Sequence, residues 1–287
     1  MIINQIQFYR LLLIVLSMFL LQCTSERGIG DLFTSDSQGM IVIDAVLYVD
    51  RPMPEIFISL SQVPDTHYDN ESWGINDAEV IIYQGPSTYQ YQSTGSLGKY
   101  LPPSGAPAVL PETEYRILVQ ALGRKVQGTS ITPSRLSLKR VVMLDKVSQE
   151  EIRFLNLGAN AQNSIIYSEG LIEARFDPIG VQGYQVVIFE KETGEETSSP
   201  PLEVQNGRLR LPWFAIGSSG QHEIELYALD QNMFDLLRSI PQENSGFEFG
   251  SLAGDNFDQP IFRLDGGIGL FGSAAVDKFS FWVLPER

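Results

Sequence analysis

The chain of 287 residues has one cysteine, Cys23, and two histidines, His67 and His222. A single thiol allows no intrachain disulfide and no zinc-thiolate cluster, so stability has to come from burial. Two imidazoles leave Ser-His-Asp chemistry only one of them at a time as general base, and no Gly-x-Ser-x-Gly elbow occurs. Positive charge is scarce: 20 Lys and Arg stand against 35 Asp and Glu, for a formal charge of −15. Nucleic-acid affinity rests on neutralising phosphates with Lys and Arg, so this balance argues against such a partner. Long apolar runs are missing too. The longest, Leu11 to Leu21, falls short of the roughly 20 residues that cross a bilayer.

That short run carries the clearest signal in the chain. Arg10 precedes it, and Leu20-Leu21-Gln22-Cys23 closes it, an order that resembles a bacterial lipoprotein signal peptide with its lipobox. The small-residue cleavage pattern of an ordinary secretory signal is absent before Thr24. The resemblance implies that residues 1–22 are removed and that Cys23 is acylated, tying the protein to a membrane. An acyl chain contributes about 0.8 kcal/mol per buried methylene, and stable anchoring takes more than one chain. Losing Arg10 makes the mature chain one unit more acidic. Residues 23–38, polar and glycine-containing, read as a tether.

Beyond the tether, period-two alternation predicts strands. Met40 to Val49, Glu55 to Gln62, Ala78 to Tyr83, Glu114 to Ala121 and Lys125 to Thr132 lie in the first half, the last two joined across Leu122-Gly123-Arg124. Glu151 to Leu157, Ile172 to Phe176, Tyr184 to Glu190, Arg208 to Leu211 and Glu223 to Leu229 continue the pattern. Asn206-Gly207 predicts a two-residue hairpin between Leu202–Val204 and Arg208–Leu211. One helix is expected: Asp230 caps it, an apolar stripe from Leu229 to Ile240 lies on a sheet, and Pro241 ends it. The fold class is therefore all-β. An immunoglobulin-like or transthyretin-like sandwich is expected over 39–146, and a second β-rich domain with one short helix over 147–287. In Pro260 to Val283 the glycines at 266, 267, 269 and 272 serve tight turns or close strand approach rather than a phosphate cradle.

Candidate chemistry is thin. Ser96 and Lys99 have Ser-x-x-Lys spacing, but Gly95 and Gly98 make a turn where that chemistry needs a helix. His67 and His222 read as surface residues, and Glu190, Glu192, Glu195 and Glu196 as a solvated hairpin tip. Asp255, Asn256 and Asp258 could offer oxygens to calcium, which takes six to eight, but a Gly-Asp-Asn loop of this kind reads as a turn. No catalytic residue, metal ligand or cofactor is assigned. The candidate binding residues are aromatics among amides between 67 and 100: Tyr68, Trp73, Tyr89, Tyr91 and Tyr100, suited to a glycan or peptide. The competing reading places these rings in the core of a sandwich.

Several segments in order carry a family resemblance: Cys23, Val42-Ile43-Asp44-Ala45, Ile58-Ser59-Leu60-Ser61, Asn76 to Tyr83, Gly98-Lys99-Tyr100, the Tyr115 strand, Phe176-Asp177-Pro178 and Gly266 to Gly272. Taken together the chain resembles the Bacteroidota envelope lipoproteins that carry domain of unknown function 4249. The resemblance implies an outer-membrane, lipid-anchored, non-catalytic protein working beside a TonB-dependent receptor in binding or uptake of a nutrient. Where many relatives have Asn before the glycine segment, this chain has Arg263-Leu264-Asp265. The residues themselves leave two other readings open, an envelope hydrolase or carbohydrate-active enzyme and a structural or adhesive module.

Overall fold

The computed structural model of the protein describes residues 39–62, 73–145, 147–157, 163–166, 170–211, 216, 219–240 and 259–284. Cys23, the tether, His67, Tyr68 and the Asp255–Asp258 loop lie outside the described residues. The first half runs β1 (Ile41–Tyr48), β2 (Ile56–Leu60), β3 (Glu79–Gln84), β4 (Ser87–Gln90), β5 (Gln92–Ser93), β6 (Lys99–Leu101), β7 (Glu114–Ala121), β8 (Arg124–Ile131) and β9 (Leu138–Asp145). Next come β10 (Glu151–Ile152), β11 (Ser164–Ile166), β12 (Gly170–Phe176), β13 (Gly183–Glu190), β14 (Glu196–Ser198), β15 (Arg208–Leu211) and β16 (Gly220–Leu229). The chain closes with helix α1 (Gln231–Ser239), β17 (Leu264–Asp265) and β18 (Ile268–Leu284).

These strands form three sheets. A nine-stranded sheet has the order β14-β13-β16-β18-β1-β2-β6-β5, with β11 also on β18. A five-stranded sheet, β17-β8-β7-β3-β4, covers its β1–β2 end, and a four-stranded sheet, β10-β9-β12-β15, covers its β13–β16 end. The result is two sandwiches that share one sheet, an all-β fold as the alternation predicts, with α1 where the Asp230 cap and the apolar stripe place a helix. Leu264 to Ala274, placed by sequence with the second half, is hydrogen-bonded into the first. Leu264 pairs with Gly128, and Ile268 to Ala274 run parallel to Val42 to Tyr48. From Ala274 to Val283 the same strand pairs antiparallel with β16.

Each sandwich has its own apolar core. Ile41, Ile43, Leu47, Ile56 and Ile58 meet Val80, Ile82, Ile117 and Val119 in the first. Val186, Ile188, Ile224, Leu226 and Phe281 meet Val141, Met143, Ile172 and Leu209 in the second. Full burial of one such side chain contributes about 1.5–3 kcal/mol. Two of them therefore match a disulfide, worth roughly 2–4 kcal/mol. The missing cysteines cost this fold little.

Local signals account for the turns that hold and one that does not. Leu122 and Gly123, with φ of 53° and 70°, close the β7–β8 hairpin with the two left-handed residues a type I′ turn needs. Asn206-Gly207 also turns, with Gly207 at φ 64°, yet it joins no hairpin. Leu202 bridges Tyr184 in the large sheet, whereas Arg208 to Leu211 pair with β12 in the small one. The chain crosses between layers there, and Asn206 Oδ1 accepts from Arg208 N at 3.1 Å to shape the corner. The strand expected from Glu151 to Leu157 shortens to Glu151–Ile152.

Candidate functional site

Where β16 ends, the next residue turns the chain onto α1 and ties the two sandwiches together. Asp230 N donates to Ser273 O of β18 at 2.9 Å, and Asp230 Oδ1 caps the helix by accepting from Met233 N at 2.9 Å. Its Oδ2 accepts from Ser130 Oγ of β8 at 2.7 Å, and Ser130 Oγ lies 2.7 Å from Ser273 Oγ. All three residues are buried: Asp230 is 7% exposed, Ser130 2% and Ser273 0%. At the second residue of the helix, Asn232 Nδ2 donates to Thr129 O and Phe271 O, each at 2.7 Å. Met233 and Phe234 pack with Leu229 and Ala274 on the outer face of the large sheet.

A second acid anchors the far side of the helix. Asp235 accepts from Gln231 Nε2 at 2.8 Å, Arg238 Nε at 3.0 Å and Arg263 Nε at 2.5 Å. Burial pushes its carboxyl up, but these hydrogen bonds and the two guanidinium charges outweigh burial and hold it below the usual range. Asp230 goes the other way. Burial raises it, and its hydrogen bonds from Met233 N and the two serines offset only part of that.

Around this clip lies a cleft of about 530 Å³, half polar and half apolar, walled by Glu112, Ile131 and Pro133 on one sandwich, Gly180 to Gln182 on the other, and Asp230 to Asn232 with Arg263. An adjoining hollow of about 620 Å³ extends over Gln127 to Thr129 and past Arg116 and Asp265, sharing Thr129, Asn232 and Arg263 with the cleft. Hydroxyl, amide and guanidinium groups line it, which suits a ligand rich in hydrogen-bonding groups. Ser130 sits against a carboxylate, but that contact is buried beneath the cleft. The described histidine, His222, is elsewhere: it is 1% exposed, stacked on Phe281 with centroids 5.5 Å apart. The surface position expected for His222 is thus corrected, because its alternation register in β16 turns it to the core. Glu190, its partner across the ladder, is likewise buried rather than at a solvated tip.

The aromatics picked out by sequence do not assemble into one surface. Tyr100 is 0% exposed; its hydroxyl donates to Ile75 O at 2.7 Å and accepts from Ala78 N at 2.8 Å. Tyr91 is buried in the same core, and burial pushes its phenol up. Tyr89 packs half-buried against that core with its hydroxyl donating to Gln84 Oε1 at 2.9 Å. Trp73 is half-buried at the start of the described segment. Tyr91, between β4 and β5, and Tyr100, in β6, are buried core residues, so neither ring is presented at the surface as the expected ligand contact requires. The clip beneath the cleft went unread because Ser130 and Ser273 look like ordinary strand serines. The available signal was a hydroxyl at an inward position, after Val126 and Gly128 in β8 and between Phe271 and Ala275 in β18.

The fold and cleft define an all-β protein of two sandwiches fused through one sheet. No family model and no curated protein matches the chain. Among solved structures it is similar to a two-domain fibronectin type III segment from chicken tenascin, at 9% identity over 67% of this chain and 91% of that one, with a TM-score of 0.23. The FN1-FN3 domains of chicken CNTN1 align at 10% identity over 85% and 66%, with a TM-score of 0.26. The chicken interferon gamma receptor alpha chain aligns at 8% over 85% and 98%, with a TM-score of 0.23. The sandwich assignment rests on the sheets themselves.

Proposed function

We propose that this protein is a non-catalytic outer-membrane lipoprotein, anchored through acylated Cys23, that assists a TonB-dependent receptor in binding or taking up a nutrient. The observation that carries this reading is the lone cysteine closing an 11-residue apolar run behind Arg10. The way the chain enters the folded body supports it. Gly39 N donates to Ser61 O at 3.1 Å, Met40 N to Ser61 Oγ at 2.9 Å, and Arg124 donates to Gly39 O at 2.7 Å. From there β1 is an interior strand of the nine-stranded sheet, so a pull on the anchor is carried by ladders on both sides. The mixed polar and apolar cleft offers the place for a cargo group such as a glycan or peptide end.

The test is extraction of the native protein from its own membrane in mild detergent. Copurification of a large outer-membrane barrel is the expected result, and Cys23→Ala abolishes membrane fractionation. Recovery alone, with turnover of a glycan or peptide by the pure protein, would overturn the reading.

A further inference from the structure

The outer face of the four-stranded sheet carries a concentration of positive charge in an otherwise acidic chain. Residues facing the second core alternate with Arg140 on β9, Arg175 on β12 and Arg208 on β15, and the register sets these three directly abreast. Neighbouring strands lie about 4.8 Å apart, so three guanidinium stems span roughly 10 Å in one row. Like charges directly opposite each other destabilise a sheet. Arg210 stands in the next row beside Glu173, and Arg153 follows β10 on the same side, since Ile152 and Phe154 flank it and pack into the core.

Two carboxylates serve this face. Glu173 has a side chain 0% exposed and accepts from Arg175 Nε and Arg210 Nε, each at 2.6 Å, which holds both forks in place. Glu151 pairs with Arg140 and, at 3.3 Å, with Arg175. Five guanidiniums thus stand over two acids, while Arg153 and Arg208 have no ion pair among the described residues. Glu150 in the adjoining turn and the Lys139–Asp177 pair at 2.5 Å do not reverse the sign. That turn folds back to the same face: Gln149 Oε1 accepts from Arg210 at 3.3 Å. At its tip Val147 is 84% exposed.

We propose that this face lies against phosphate-bearing lipid headgroups, so that the tethered body rests on its membrane in one fixed orientation. The proposal rests on the lipid-anchored reading and adds the surface and its ligand. Guanidinium forks match phosphate oxygens, and an apolar tip beside them suits a headgroup boundary better than a soluble polyanion. The chain as a whole is acidic, so an anionic bilayer favours the approach of the face on which these guanidiniums are concentrated. Residues 24–38 reach at most about 50 Å, enough to let the second sandwich settle on the surface.

With Cys23 acylated, Val147→Cys supplies a single free thiol for a fluorophore in the full lipidated chain. The label is read in vesicles of phosphatidylcholine alone and of phosphatidylcholine with one-third phosphatidylglycerol, using a nitroxide-bearing lipid as quencher. Quenching is expected in the anionic vesicles only, lost in high salt and in Arg153→Glu/Arg208→Glu, with a Glu195→Cys label on the opposite layer unquenched throughout. Equal quenching in both vesicles, or none while the protein floats with them, overturns the proposal and leaves anchoring intact. A protein that binds soluble polyphosphate without lipid quenching overturns it as well. Failure to float at all removes the anchoring reading instead.

Discussion

One hydroxyl separates two buried tyrosines. Tyr100 bridges Ile75 O and Ala78 N, so its phenol satisfies two backbone groups that the loop before β3 leaves open. Tyr91 has a buried hydroxyl with no hydrogen-bond partner among the described residues. An unpaired buried polar group costs about 1–3 kcal/mol. Tyr100→Phe is therefore expected to destabilise by about 1–3 kcal/mol, whereas Tyr91→Phe is neutral or stabilising by about 1 kcal/mol, both measured by urea denaturation. A loss at Tyr91 as large as that at Tyr100 would contradict the core assignment of its hydroxyl.

At the scale of the element, β18 and α1 depend on single residues. Gly269 sits at φ +105° near the start of the parallel pairing with β1, and a Cβ there would meet Ile43 O at 2.1 Å. Strain at positive φ alone costs about 1–3 kcal/mol, and the backbone contact adds to it. Gly269→Ala is expected to lose more than about 2 kcal/mol, while Gly85→Ala, where nothing lies within 4 Å, loses only the φ strain. Helix α1 starts on Asp230 and finishes with Arg238 in its last turn, a favourable end for a cation. Asp230→Ala removes a cap worth about 1 kcal/mol and leaves Ser130 with one fewer partner, a combined loss of about 2–3 kcal/mol. Asp230→Asn keeps the cap and should recover most of it; a thermal melt that ranks Asn with Ala would refute the capping role.

For the whole molecule, the shared strand makes the two sandwiches one cooperative unit. Ile268 to Ala274 serve the first sheet and Ala274 to Val283 the second, so neither core survives the loss of β18. Hydrogen exchange should show both cores opening at the same denaturant concentration; two separate transitions would sink this claim. Acid stability is also a property of the ensemble of ion pairs. Burial works against the Glu173 carboxylate, yet hydrogen bonds from Arg210 and Arg175 overcome it and hold Glu173 below the usual range. Glu223 is held low in the same way by Lys191 and Lys278. A depressed acid stabilises the fold above its unfolded value, near about 4, and that contribution fades as pH falls through the folded value. Glu173→Gln should therefore weaken the protein at neutral pH and flatten its loss of stability below about pH 4, as read from denaturation at a series of pH values.

Period two in the sequence determined the all-β class and most strand positions, and turn and cap residues determined the Leu122-Gly123 hairpin and the helix at Asp230, because each depends on neighbours within a few residues. The apolar run and its cysteine are legible for the same reason. Only tertiary structure decided that β18 runs through both sandwiches, since parallel pairing with β1 spans more than 200 residues of chain and leaves no local pattern. It also decided that Tyr91, Tyr100 and His222 face inward, and that Ser130, Ser273 and Asp230 meet. Burial and the convergence of distant hydroxyls on one carboxylate follow from which sheets stack, and stacking is set by the sum of two cores rather than by any single segment.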